Sequence, residues 1–406
     1  MDYKQIQIDN FFRYLAIPSQ SDAKAQSLPS TQGQYDLALL LKKELEELNL
    51  SDIVLQDNAI LSAKLKANAN KKSIGFCAHL DTVDVGLSPI IKPQILKFQG
   101  KTLCLNKSKN IFCNPKDHPE LLKYLNEEII FSDGTSVLGA DNKAAIATIM
   151  TLLTYLINER CAHGDIYVCF VPDEEIGLRG SKMLDLKYFN PDFAFTIDCC
   201  ELGEFVFETF NAGSAFIEIE GVSAHPMSAK GVLLNPTLIG LDLVNCFDRL
   251  QTPENTQDDE GYIWIQEFYS NQIKCNLFLN IRDHDKKKYE EKKTYIEEVV
   301  KFIQKRYKRA RISLKIEDTY SNLKDSMDEK NKIALDILKE AFEKCQIEPK
   351  IFPMRGGTDG SALALKGLFT PNFFTGAHNF HSAFEFLPLR SFYKSFEVAK
   401  TIISLA

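Results

Sequence analysis

Three short apolar runs restrict most strongly what this chain can fold into: residues 71–78 (KKSIGFCA), 165–171 (DIYVCFV) and 193–197 (FAFTI). None shows the polar alternation of a half-exposed strand, so each reads as a strand buried on both faces. Between the first two lies 144–156 (AAIATIMTLLTYL), whose length and apolar periodicity predict a buried helix. Strand, helix, strand in this order predicts an α/β domain with a mostly parallel sheet covered by helices. After residue 330 the alternation resumes over 332–344, 350–353 and 370–374, and these segments are expected to rejoin the same sheet.

The middle of the chain follows a different pattern. Residues 214–220 (SAFIEIE) alternate like a half-exposed strand, and 233–250 read as a helix. Residues 261–269 and 273–282 resemble antiparallel strands, 286–309 a charged helix with paired Lys and Glu, and 311–317 a last strand. This β-α-β-β-α-β series is the split βαβ arrangement. It places an inserted domain at 212–320 between the two parts, 1–211 and 321–406, of a larger domain.

Bulk properties exclude several classes. A formal net charge of −7 argues against a nucleic-acid or anionic-membrane partner. No stretch approaches the roughly 18 apolar residues of a membrane span, and the first residues, MDYKQIQIDN, lack the basic start and apolar core of a signal peptide. The ten cysteines include no Cys-x-x-Cys pair, which suits free thiols in a reducing cytoplasm better than a disulfide framework.

The chemistry gathers where the predicted strands end, the rim at which parallel sheets bind ligands. His79 and Asp81 follow the first strand two residues apart, so on extended backbone they share a face, and the acid can fix the imidazole's tautomer. By itself this pair is equally a satisfied histidine at a strand end. Asp141 opens the buried helix, where an acid can simply be an N-cap. Asp173, Glu174 and Glu175 follow the second strand, and so many acids beside a buried strand are costly without a cation. Asp198 ends the third strand, His381 lies near the C-terminus with Glu385 after it, and His225 lies in the inserted domain. Taken together, two histidines and three carboxylates at successive rim positions suit nitrogen and oxygen ligation of two zinc-like ions.

These segments resemble those of the zinc aminopeptidase and deacylase superfamily over nearly the whole chain. The resemblance implies a catalytic domain with a lid domain, through which homodimers often form, and two zinc ions per subunit. It makes His79 a ligand of one ion, Asp81 the carboxylate that orients His79, and Asp141 the bridging ligand. Glu175 and His381 bind one ion and Asp198 completes the shell of the other, while Glu174 is the general base that activates the metal-bound water. It further implies a cis peptide bond after Asp141 and an oxyanion-stabilising role for His225.

Three features resemble the tripeptide aminopeptidases in particular: the long segment 84–134, the run Asn280-Ile281-Arg282-Asp283, and the run from Met354 to Ser361 that includes Arg355. Asn280, Arg282 and Arg355 are thereby candidates to bind the peptide, since a guanidinium can grip a carbonyl or a terminal carboxylate. A structural salt bridge is the alternative reading of either arginine. Two departures stand out, Asn142 in place of a second aspartate and the run Ala377-His378-Asn379-Phe380 before His381. The expected activity is removal of the N-terminal residue from tripeptides and similar short peptides. The alternatives are a deacylase or carboxypeptidase on the same scaffold, or a non-catalytic peptide-binding protein.

Overall fold

The computed structural model describes residues 1–406, which separate into two compact units. The larger comprises residues 1–207, 326–352 and 358–406, and the smaller 208–325 and 353–357. The segment that holds Arg355 therefore groups with the smaller unit.

The larger unit is built on an eight-stranded sheet. Its strands run in the order Ser51–Leu55, Leu61–Leu65, Ile166–Val171, Ile74–His79, Phe193–Cys199, Asn372–Phe374, Glu204–Val206 and Lys350–Ile351. The four central strands, from Ile166–Val171 to Asn372–Phe374, are parallel. The outer pairings are antiparallel except the last, between Glu204–Val206 and Lys350–Ile351. Every residue of Ile74–His79 is buried, so both faces of the sheet are covered there, as its unbroken apolar character requires. Cys77 packs with Leu184 and Leu363, while helix Ala140–Asn158 lies against Ile74–His79 and Phe193–Cys199.

The long segment 84–134 contributes structure of its own. Strands Gln94–Lys97 and Glu128–Phe131 form a three-stranded antiparallel sheet with Phe386–Pro388, and Leu103–Asn106 pairs with Ile111–Cys113. Phe98, Tyr124, Phe131 and Phe386 form its core. The strand just after His381 is thus paired into this segment.

The smaller unit is a four-stranded antiparallel sheet, ordered Tyr262–Ser270, Lys274–Asp283, Asn211–Glu220, Arg311–Tyr320. Strand Lys274–Asp283 alternates buried and part-buried residues without a break, the signature of a sheet with one covered face. Ile217, Leu277 and Leu279 point from that face into a core with Ile239 and Leu243 of helix Pro236–Val244 and with Ile296 and Ile303 of helix Lys286–Arg306. The first of these helices is shorter than the predicted 233–250, because Pro236 occupies its first turn and it ends at Asn245. No helix in the chain is long and apolar enough to cross a membrane.

Candidate metal centre

The rim residues of the larger unit converge. His79 ends its strand with Nε2 2.9 Å from Asp141 Oδ1 and 3.7 Å from Asp198 Oδ1. Its other nitrogen, Nδ1, lies 3.3 Å from Asp81 Oδ1. On the far side of Asp141, Oδ2 is 3.1 Å from His381 Nε2, which is also 3.1 Å from Glu175 Oε2. Asp141 therefore stands between the two imidazoles, one oxygen toward each.

Asp141 is not an N-cap. Gly139 occupies that position without a side-chain cap, and Asp141 and Asn142 have non-helical backbone at the start of helix Ala140–Asn158. The peptide bond between them is cis. Asn142 Nδ2 donates to Asp198 Oδ1 at 2.8 Å and to Ile197 O at 2.8 Å, so it ties this turn to the neighbouring strand end.

Asp81 has two tasks. Besides facing His79, its two oxygens accept the backbone N–H groups of Glu174 at 3.0 Å and Glu175 at 3.1 Å. Asp173 turns away from the cluster: its carboxylate accepts from Ser30 and Gln34 and pairs with Arg179 at 3.3 Å. One acid of the triplet is thus structural, and the other two join the site.

The loop that carries His381 is held from outside. His378 and Phe386 exchange backbone hydrogen bonds across its base. Asn379 Nδ2 donates to Glu120 Oε1 at 2.5 Å, and Tyr124 OH lies 2.7 Å from His378 Nε2. His381 itself has a φ of +60°, a conformation that residues other than glycine rarely adopt and that functional sites concentrate.

Charge in the cluster is strongly unbalanced. Burial, reinforced by the charge of Asp141, pushes Glu175 up to about 8 and Asp198 up to about 6. Burial, with Asp198 and Glu175 nearby, holds Glu174 well above the usual carboxylate range. Burial would also raise Asp141, but hydrogen bonds from His381 and His79 outweigh it and hold Asp141 below its usual range. The same contacts, led by those to Asp141 and Glu175, lift His381 to about 10.

Sequence reasoning assigned no role to two further acids. Asp359, at the start of helix Asp359–Ala364, is buried and pushed up to about 7, with Oδ1 lacking a hydrogen-bond partner. Glu385 is 1% exposed and also pushed up to about 7 by burial. Its signal in the sequence was its spacing of four residues after His381. Lys143 is fully buried and donates from Nζ to Ile17 O at 2.6 Å, and burial lowers it to about 7.

The donor set fits divalent cations. His79, Asp141 and Glu175 offer ligand atoms that all lie within 4.8 Å of one another, and Glu175 Oε1 is buried without a hydrogen-bond partner. Imidazole nitrogen and carboxylate oxygen are the donors that zinc-like ions take. Cations would also balance the carboxylates that burial otherwise forces toward the neutral form.

The remaining candidates lie in the smaller unit. His225 is exposed, and its Nδ1 accepts from Met227 N at 3.2 Å. It lines a cavity of about 650 Å³ with Asn235, Thr237 and Asn271. Arg282 Nη1 donates to Gly213 O and Ile281 O, each at 2.8 Å, and Asn280 bonds Gln266. Arg355 donates to Glu260 O at 2.8 Å and Thr256 Oγ1 at 2.7 Å, and lies over the rings of Phe210 and Tyr262. Neither arginine forms a salt bridge: both hold backbone carbonyls instead.

Known proteins resemble this chain over almost its full length. A peptidase T-like protein of Yersinia pestis is 54% identical over 395 residues, which cover 97% of this chain and 96% of that protein. Peptidase T of Caldanaerobacter subterraneus subsp. tengcongensis is 40% identical over 402 residues, covering 98% of each. Two solved structures share the fold. Aminopeptidase PepT from Bacillus cereus has a TM-score of 0.76 at 21% identity, covering 98% of both chains. The Bacillus subtilis YXEP protein, described as a dinuclear metal-binding peptidase of the M20 family, has a TM-score of 0.67 at 13% identity, covering 99% of this chain and 98% of that one. The sequence profile of peptidase family M20/M25/M40 matches residues 139–405, and the chain belongs to that family.

Proposed function

We propose that this chain is a metallo-aminopeptidase that removes the N-terminal residue from tripeptides and similar short peptides. The observation that carries the reading is Asp141, with one oxygen 2.9 Å from His79 and the other 3.1 Å from His381. One carboxylate between two imidazoles is what a pair of cations sharing a bridging ligand requires. Relatives named peptidase T, similar over almost the full length, favour the aminopeptidase over a deacylase or carboxypeptidase.

In this reading His79 and Asp198 hold one ion, Glu175 and His381 hold the other, and Asp141 serves both. Two zinc ions there would supply Lewis acidity that polarises the scissile carbonyl and acidifies a water. Asp81 keeps His79 oriented and fixes the backbone of Glu174 and Glu175. Glu174 takes a proton from the attacking water and returns it to the departing amine; its raised affinity for protons suits that exchange. The smaller unit serves as the lid, with His225 donating to the oxyanion. Asn280, Arg282 and Arg355 grip the peptide, each arginine exchanging a carbonyl it now holds for one of the substrate. Ten unpaired cysteines suit a reducing cytoplasm. Pairing of two copies through the lid belongs to the same proposal, and sedimentation of the purified chain tests it.

The deciding experiment assays free tripeptides against their N-acetylated forms, with a zinc count per chain. Cleavage of the free peptides alone, with two ions per chain, is expected. Preference for the acylated forms would move the chain to the deacylase reading.

A further inference from the structure

The turn that delivers Asp141 is held by main-chain donors from an unusual direction. Gly139 adopts φ +74°, which favours glycine, and a Cβ there would crowd Ile91 Cδ1 at 3.0 Å and Thr82 Cγ2 at 3.1 Å. The amides of this turn go to a carboxylate distant in sequence. Glu385 Oε2 accepts from Gly139 N–H at 2.8 Å, and Glu385 Oε1 accepts from Asp141 N–H at 3.2 Å. No lysine, arginine or histidine forms a salt bridge with Glu385, so its role here is to accept amides.

We propose that Glu385 is a positioning residue for the cation site, fixing the backbone of Asp141 so that its two carboxylate oxygens divide between His79 and His381. The proposal rests on the reading of this cluster as a cation site. Glu385 sits four residues after His381 on the same loop, and its N–H closes a turn onto Ser382 O at 3.1 Å. The loop's base is fixed by the hydrogen bonds between His378 and Phe386. Glu385 thus joins the loop of one ligand to the turn of another through main-chain contacts, 244 residues apart for Asp141. Those contacts run to main-chain amides and leave both carboxylate oxygens of Asp141 to His79 and His381. Supporting contacts of this kind typically change metal affinity or activity by about 10–100-fold when removed.

The test uses Glu385→Gln and Glu385→Asp. The first keeps the volume but sets an amide NH₂ against a backbone N–H, since both oxygens now accept. The second keeps the charge but withdraws it by one methylene. Calorimetric titration of metal-free protein with zinc, the visible spectrum of the cobalt-loaded protein, and the unfolding temperature of the metal-free protein are measured together. Both variants are expected to bind zinc roughly 10–100-fold more weakly and to shift the cobalt bands, while the metal-free protein unfolds close to wild type. Wild-type affinity and bands in both variants would overturn the proposal, whatever happens to the unfolding temperature. So would failure of both variants to fold, which would make Glu385 a part of the fold rather than of the site. A wild-type chain that takes up no zinc would instead remove the cation-site reading itself.

Discussion

At the rim of the larger unit, carboxylates crowd together with too few cationic partners, and a buried oxygen of Glu175 has no hydrogen-bond partner. In the smaller unit, Arg282 and Arg355 each donate to backbone carbonyls of that unit, and Arg355 also to Thr256 Oγ1. Burial explains the contrast. The rim acids are shielded from water and raise one another's proton affinity, so only a cation fully satisfies them. The arginines lie nearer solvent, where a carbonyl is a sufficient partner and can be exchanged at small cost. On the proposed reading, the first region suits a tightly held ion, and the second suits contacts that come and go with each peptide.

Removing the cations tests the contrast most severely. Chelation is expected to abolish turnover and lower the unfolding temperature, with zinc restoring both. A ligand at about 1,000 times its Kd adds roughly 4 kcal/mol of stability, well within reach of calorimetry. Full activity in metal-stripped protein would erase the distinction between the regions. Glu174→Gln comes next: kcat should fall about 10²- to 10⁴-fold while metal analysis still finds two ions, as expected of a base that is not a ligand.

The arginines give a smaller effect. Arg282→Ala and Arg355→Ala should each raise KM by about 10-fold or more with kcat little changed, since a hydrogen bond to a charged group contributes roughly 1.5–3 kcal/mol. Unchanged KM with a lowered unfolding temperature would show that the carbonyls they now hold are their permanent partners.

The least effect on turnover is expected at His378, three residues before His381. Burial lowers it to about 4, opposite in direction to His381. A histidine whose folded value lies below its unfolded one contributes fully above about pH 6.5. That contribution is lost as pH falls toward 4, up to about 3 kcal/mol in all. Metal-free His378→Asn should therefore show a flatter fall in stability over that window than wild type, by denaturant titration.

Much of the site was legible because it lies where apolar strands stop. His79, the Glu174 and Glu175 pair, and Asp198 each follow a run whose burial the sequence declares. What the sequence did not declare depends on partners far along the chain. Asp141 reads equally as a helix cap, and only the turn of backbone at Asn142 removes that reading. Asp173 looks like its two neighbours, yet it faces Ser30 and Gln34, more than a hundred positions earlier. The strands inside 84–134 are only three or four residues long, and Glu128–Phe131 takes a partner from Phe386–Pro388, so no local periodicity marks them. The arginines' carbonyl partners were hidden for the same reason, because backbone acceptors leave no trace in residue type.

Asp81 has a consequence for how such an enzyme can be altered. The same carboxylate that meets His79 also anchors the two amides beneath Glu174 and Glu175. On the proposed assignment of Glu174 as the base, ion capture and proton transfer share one fulcrum. An engineer who shifts Asp81 to retune the preferred ion will disturb the proton acceptor by the same motion, and the two properties can be separated only by substitutions elsewhere.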